Sequence, residues 1–533
     1  MESWKRYPRM QQMVQALRWP SHLPAFGPRP VLPHGHGRSL GDSCRPAVSR
    51  RTLTVAVGLA LLGAVFTARN ARLPILRNSL VYARMVESLQ LQHLALWQVC
   101  SDPSQAHAQG CGFSVLALPF ARVAGLNVGL NLASWVATAL FIAAMIAFFR
   151  RFNGSFDLRE EDVPLELVVA CFNPLILTQF WSAHADSAFA ALFLMSFVLL
   201  DRLLKDEVLN ETGAVIAYTL TVMLAVFTRP AGLILCPLHL LYVFWHRQQL
   251  LARARHRPRR FLLLVASVAV LAAWVGLGKL GHNPLLNLNK GEYQVPVAYL
   301  SSVNGLIALV ALTFGVLLVV TLPKLRVTRE NAPLLLMLAG YVHVVMVFHA
   351  SIDNLRYFVP VVPFMALFIV RALRAVDRKW LVAVSLAAYA VINGATILSF
   401  NDVAANRLFN RFAPRRINWG EFGHFDNLRL GTQVRMKEAL DRLNAELPAG
   451  ASLYYVTAYY DGVADGIYQH AGLLRPDIRI QYAKSLEELG PVPNDAWIFL
   501  PERISRHPDD PPGRSLEWLV RGSGQCRACA HQR

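Results

Sequence analysis

Charge is what this chain has least of. Asp, Glu, Lys and Arg make up 16% of 533 residues, while apolar residues make up 54%. An average soluble protein carries about 25% charged residues, so a soluble single-core protein is excluded. Cysteine is scarce as well, 7 in all, and forms no disulfide framework. Cys100 and Cys111 fall on one predicted outer loop and could pair in an oxidising compartment. Cys526 and Cys529 are spaced as Cys-x-x-Cys but lack the second pair that a zinc site needs. No apolar core follows the first basic residues within thirty positions, which excludes a cleaved signal peptide as the reading of the N-terminus. No clear internal repeat is present, and no paired metal-ligand spacing.

What is present is a series of long apolar runs, such as Leu53–Ala68 and Val128–Phe149. At ~1.5 Å per residue these are long enough to cross a ~30 Å hydrocarbon layer as helices. Spans are expected near 52–68, 128–150, 163–181, 185–201, 212–228, 231–246, 261–280, 298–322, 333–349, 357–370 and 380–400, roughly eleven in all. The net charge of +19 then resolves into topology. Five alternate connections, including Arg150–Arg159, Arg247–Arg260 and Arg371–Lys379, hold eighteen Lys and Arg. The four short connections on the other side hold three: Arg229, Lys290 and Arg356. By the positive-inside rule the N-terminus is cytoplasmic and the C-terminal region lies outside. Arg253–Arg260 reads as a topology anchor and not as a nucleic-acid contact.

The expected fold class is therefore an α-helical polytopic membrane protein with a small C-terminal α/β periplasmic domain. Three regions follow: a basic cytoplasmic segment 1–51, a transmembrane domain 52–400 with a long first outer loop 69–127, and a periplasmic domain 401–533. The first loop predicts an amphipathic helix at Ser79–Leu91 and an interfacial one near Phe113–Ala124, too short to span. In the C-terminal region a helix is expected at Thr432–Leu447, strands at Ser452–Ala458, Ile478–Tyr482 and Asp495–Leu500, and a short helix at Val463–Leu473. Tyr454, Tyr455, Tyr459 and Tyr460 are either strand and loop packing or a glycan contact. The stretch after Pro501, rich in Arg, Pro and Ser, reads as disordered.

Several motifs in fixed order carry a resemblance. They are Asn78-Ser-Leu-Val-Tyr82-Ala-Arg84-Met-Val-Glu87, Phe113-Ser-Val-Leu-Ala-Leu-Pro119, and Asn173-Pro174 followed by Ser182-Ala-His184-Ala-Asp186-Ser187. Phe227-Thr-Arg229-Pro230-Ala-Gly232 and Asn354-Leu-Arg356-Tyr357-Phe-Val-Pro360 come next. Over residues 52–400 this order resembles the GT-C superfamily of glycosyltransferases that use polyprenyl-phosphate sugars. The resemblance implies an inverting displacement and a catalytic Asp just before the Tyr-x-Arg stretch, but Asn78 occupies that position here and cannot accept a proton. Separately, Trp4–Cys44, with Gly35, Gly37 and Gly41, resembles the start of FAD-linked oxidases of the decaprenylphosphoryl-ribose oxidase type. It is too short to form that fold, so no FAD is expected. It does suggest arabinofuranose as the sugar.

Glycosyl transfer from a lipid phosphate needs a carboxylate to take the acceptor's proton and cations to hold the leaving phosphate. The candidate bases are Asp102, Asp186 and Glu87, in that order. Asp102 is otherwise a loop residue before Pro103, Asp186 a helix N-cap, and Glu87 a surface partner of Arg84 at i, i+3. For the phosphate the candidates are Arg229, Arg356 and Lys290, the arginines standing at membrane edges where a charge is costly or serving as snorkelling anchors. Tyr82, Arg84 and Tyr357 are expected to touch substrate, with a membrane-interface aromatic as the alternative for Tyr357. His184 and His282 favour structural roles, and no metal is expected. The function this implies is transfer of a sugar from a polyprenyl-phosphate donor to a glycan, lipid or protein acceptor, on the periplasmic side of a bacterial inner membrane. The alternatives are a flippase for lipid-linked saccharides and an inactive scaffold in glycan assembly. Membrane lipid is the expected surroundings, and no nucleic acid is expected to bind.

Overall fold

The computed structural model describes residues 48–75, 78–90, 96–101, 110–153, 163–181, 183–205, 211–248, 310, 313–348, 357–401, 430–456, 467–483, 496–499 and 519–521. All belong to one compact unit, Val48–Arg533. The expected span 261–280, part of 298–322, and the oxidase-like segment 4–44 lie outside the described residues.

The helices are α1 Arg50–Asn70, α2 Asn78–Gln90, α3 Leu96–Ser101, α4 Gly112–Ala124, α5 Leu126–Asn153, α6 Pro164–Cys171, α7 Pro174–Leu177 and α8 Asp186–Lys205. They continue with α9 Glu211–Thr228, α10 Leu235–Trp245, α11 Ala332–Phe348, α12 Val361–Arg374, α13 Lys379–Asn401, α14 Leu430–Glu446 and α15 Ile467–His470. Among the described residues, helices within α1, α5 and α8 are each long and apolar enough to cross a membrane, and α9, α10, α11 and α13 contribute further apolar helices. Their outward faces are apolar at helical spacing: Leu53, Val57, Leu61 and Val65 on α1, and Ile216, Leu220 and Leu224 on α9, are all exposed. Large side chains repeated every four residues on an uncovered face suit a hydrocarbon environment.

One expected span is corrected. Residues 163–181 do not form a continuous helix but break into α6, α7 and the 3-10 turn Thr178–Trp181. Pro174 is the cause, since it removes an N–H and disfavours helical backbone at Asn173. The Asn173 side chain accepts the Leu175 N–H at 3.0 Å in compensation. Carbonyls freed by the break are satisfied from neighbouring helices. Phe180 O accepts from Thr67 Oγ1 at 3.2 Å, and Gln179 O accepts from Ser134 Oγ at 2.8 Å and Thr138 Oγ1 at 3.3 Å. Irregular backbone is tolerated at membrane depth only when buried and satisfied in this way.

The helix ends sort by charge. Arg151 on α5 and Lys205 on α8 reach the buried Asp201 at 2.5 and 2.7 Å, and Tyr242 of α10 donates to the same carboxylate at 2.5 Å. Arg374 of α12 meets Glu166 of α6 at 2.8 Å. The opposite end carries the first-loop helices and, beyond them, a four-stranded sheet. Its strands are β1 Ser452–Val456, β2 Arg479–Ala483, β3 Trp497–Phe499 and β4 Leu519–Arg521, in the order β2-β1-β3-β4. β1 pairs parallel with β2 and β3, whereas β4 runs antiparallel to β3. Within the stretch after Pro501, Leu519, Val520 and Arg521 are not disordered as expected but complete the sheet edge beside Phe499, Ile498 and Trp497; its other residues lie outside the described ones. The sheet and α14 share one hydrophobic cluster with the first-loop helices, in which Leu440, Leu453 and Tyr468 join Leu80, Tyr82 and Phe113.

Candidate functional site

The site starts from two sequence features that end helices. In Thr228-Arg229-Pro230, proline forces extended backbone on the residue before it. Arg229 accordingly takes φ −145° and ψ 131°, closing α9 and leading into the 3-10 turn Pro230–Ile234. Its N–H donates to Ala225 O at 2.9 Å, and its carbonyl accepts from Gly232 at 2.8 Å. Asp186 stands in the first turn of α8, where the unsatisfied N–H groups favour a negative side chain.

These termini meet. Arg229 Nη2 lies 2.5 Å from Asp186 Oδ1, and both side chains are 2% exposed. The guanidinium also sits over the Tyr357 ring, 4.8 Å from its centroid. Tyr341 donates from its hydroxyl to the Tyr357 backbone carbonyl at 2.7 Å, which fixes the chain that carries this ring. Tyr82 of α2 lies within electrostatic reach of Arg229 as well. It packs edge-on against Phe113 at 5.1 Å and against His184 at 6.3 Å between ring centroids.

The pair has bonding capacity to spare. Among the described residues, Asp186 Oδ2 and Arg229 Nε are buried without a hydrogen-bond partner. A buried polar atom left unmade costs about 1–3 kcal/mol, and a ligand oxygen on Nε or a ligand hydroxyl on Oδ2 would remove that cost. Asp186 Oδ2 is a carboxylate oxygen with no partner, of the kind that takes a proton from a ligand hydroxyl. The guanidinium can grip a phosphate oxygen. Both groups thus stand next to each other in one aromatic-walled niche.

The other expected residues fall elsewhere. Glu87 is buried on α2 and contacts His470 Nδ1 of α15, so it ties the first loop to the C-terminal sheet. It lies about 140° around the helix from Tyr82. Arg84, half-buried, is about 200° from Tyr82 on the same helix. Asp102, Lys290 and Arg356 lie outside the described residues. Among the described residues no group of three or more His, Cys, Asp or Glu side chains comes together. Tyr341 was invisible in the sequence, because it sits in an apolar run with no flanking signal and only the approach of α11 to Tyr357 gives it a role.

No family model matches the chain, and no curated protein does. Among solved structures, the chain is similar to ArnT from Cupriavidus metallidurans. Against the crystal structure bound to undecaprenyl phosphate, identity is 15% and the TM-score 0.47, covering 84% of this chain and 92% of that one. Against the apo crystal structure the identity and TM-score are the same, covering 82% and 87%. This is a likeness of outline, and the chemistry of the site rests on the residues described above. The oxidase-like reading of residues 4–44 finds no support in these comparisons.

Proposed function

We propose that this chain is a membrane glycosyltransferase that moves a sugar from a polyprenyl-phosphate carrier to an acceptor hydroxyl. The observation that carries the reading is the buried Asp186–Arg229 pair, with an unmade acceptor on one partner and an unmade donor on the other. The ordered motifs that resemble the GT-C superfamily include both residues. In the reaction, Asp186 Oδ2 takes the acceptor's hydroxyl proton while the oxygen attacks the anomeric carbon. The bond from that carbon to the phosphate oxygen breaks, and Arg229 holds the departing phosphate as its charge develops. Tyr357 keeps the guanidinium in place through its ring face. Asp102 and Glu87 remain rival bases, Lys290 and Arg356 rival phosphate contacts, and Tyr82 and Arg84 rival substrate contacts.

The side of the membrane belongs to the proposal too. The Cys100–Cys111 disulfide suits an oxidising compartment, and it lies at the end of the bundle opposite the basic loops. Both features favour the periplasmic face of a bacterial inner membrane, with the N-terminus cytoplasmic. The test is a transfer assay on the purified chain in proteoliposomes, with a panel of polyprenyl-phosphate sugars. Loss of transfer per folded molecule in Asp186→Asn, with donor binding kept and with transfer retained in Asp102→Asn and Glu87→Gln, names the base. Transfer that survives substitution of all three acids overturns the mechanism.

A further inference from the structure

A second feature bears on Arg229 from the side of the first loop. Cys100 at the end of α3 and Cys111 before α4 form a disulfide with Cα atoms 5.5 Å apart. Both sulfurs are buried in a small cluster with Met85, Leu89 and Val99, against which Phe227 packs. The backbone continues the contact: Cys111 N–H donates to Phe227 O at 2.9 Å. Gly110 adopts φ +68° against the Thr228 carbonyl, and a Cβ there would overlap it. At Gly112 a Cβ would overlap the Thr228 side chain and come within 2.8 Å of its Cα. Phe227 and Thr228 are the residues immediately before Arg229, and Met85 lies one turn along α2 from Tyr82. The disulfide therefore grips, from one side, both strands of chain that deliver Arg229 and Tyr82 to the niche.

We infer that Cys100, Cys111, Gly110 and Gly112 act together as positioning residues for Arg229, so that donor-phosphate binding depends on the oxidised state of this bond. The inference rests on the proposed function for its ligand. Its physical basis is geometric. α3 is six residues long, too short to hold its place as an isolated helix. Reduction leaves Cys111 and the glycine contacts free to withdraw from Phe227 and Thr228. Arg229 is held to Asp186 at 2.5 Å, and a displacement of about 1 Å at such a group can cost up to about a hundredfold in rate.

The experiment compares three forms of the chain in lipid nanodiscs: oxidised, reduced with a phosphine, and Cys100→Ser/Cys111→Ser. Gly112→Ala, which keeps the disulfide but presses on Thr228, is the fourth. Binding of undecaprenyl phosphate, transfer kinetics and hydrogen exchange over residues 225–232 are read on each, counted per folded molecule. The expected result is a fall of about tenfold or more in kcat/KM, with weaker binding of undecaprenyl phosphate and exchange raised at 225–232. All three altered forms should show it. Unchanged affinity per folded molecule in the reduced form and the double serine variant overturns the inference, even if their Tm falls. Should the oxidised chain neither bind undecaprenyl phosphate nor transfer any sugar, the proposed function is what fails. Unchanged exchange at 225–232 on reduction would then overturn the clamp itself.

Discussion

Replacing Asp186 with Asn strands a cation inside the protein. Arg229 and Asp186 are each 2% exposed, with Nη2 2.5 Å from Oδ1. Their charge centres are then about 4 Å apart, and at an effective dielectric near 20 the attraction is about 4 kcal/mol. Desolvation offsets much of that in the intact pair. Removing one partner keeps the desolvation of the other without the attraction, a loss of about 3–5 kcal/mol. Asp186→Asn and Arg229→Gln should therefore each destabilise strongly, whereas Asp186→Asn/Arg229→Gln should cost far less than their sum. Reversible unfolding in mixed micelles, monitored by far-UV circular dichroism, gives all four corners of the cycle. A coupling energy of about 2 kcal/mol or more is expected, against about 0.5 kcal/mol for groups that do not interact. A coupling at that lower level would show that the pair is hydrated, and the argument for a charged niche with unmade bonds would collapse. Adding polyprenyl phosphate should stabilise the wild type and leave Arg229→Gln unmoved, since a ligand stabilises only a state it binds.

Four further outcomes are expected. At the basic end, Asp201→Asn takes the carboxylate from Arg151, Lys205 and Tyr242. It should lower stability by about 3 kcal/mol in the same unfolding assay while leaving donor affinity unchanged. Glu87→Gln should loosen the contact with His470 by about 1 kcal/mol, seen as faster protease cleavage between residues 402 and 470. The Gly450 N–H, donated at 2.9 Å, and the neighbouring Arg475 hold the Asp477 carboxyl below the usual range. A depressed carboxylate adds stability above its unfolded pKa and loses it as pH falls through the folded value. The sheet should thus weaken as pH falls below the ordinary carboxylate range, and Asp477→Asn should flatten that dependence, which chemical unfolding at stepped pH can check. Finally, a reporter that matures only outside the cytoplasm should be active when fused at the C-terminus, and a fully made but inactive fusion would reverse the proposed topology.

Much of this protein was legible in its sequence because membrane insertion is governed by local quantities. Length of apolar run, charge of the connecting loop and the position of Pro and Gly act over a few residues. They located α1, α5 and α8, the two first-loop helices and the sign of each bundle end. Arg229 could be singled out as a costly charge at a membrane edge and Asp186 as a candidate base or helix cap on an outer loop, but nothing local says that they touch. That contact joins positions 43 apart in the chain and exists because α8 and α9 run antiparallel with their outer ends level. The same holds for Tyr341 behind Tyr357, for Glu87 meeting a His470 far away in the chain, and for β4, whose three residues become a strand only when β3 offers an edge. Single-residue chemistry was set by composition and spacing. Which residues share a niche was decided by tertiary packing, because burial and pairing are properties of neighbours that the chain order does not contain.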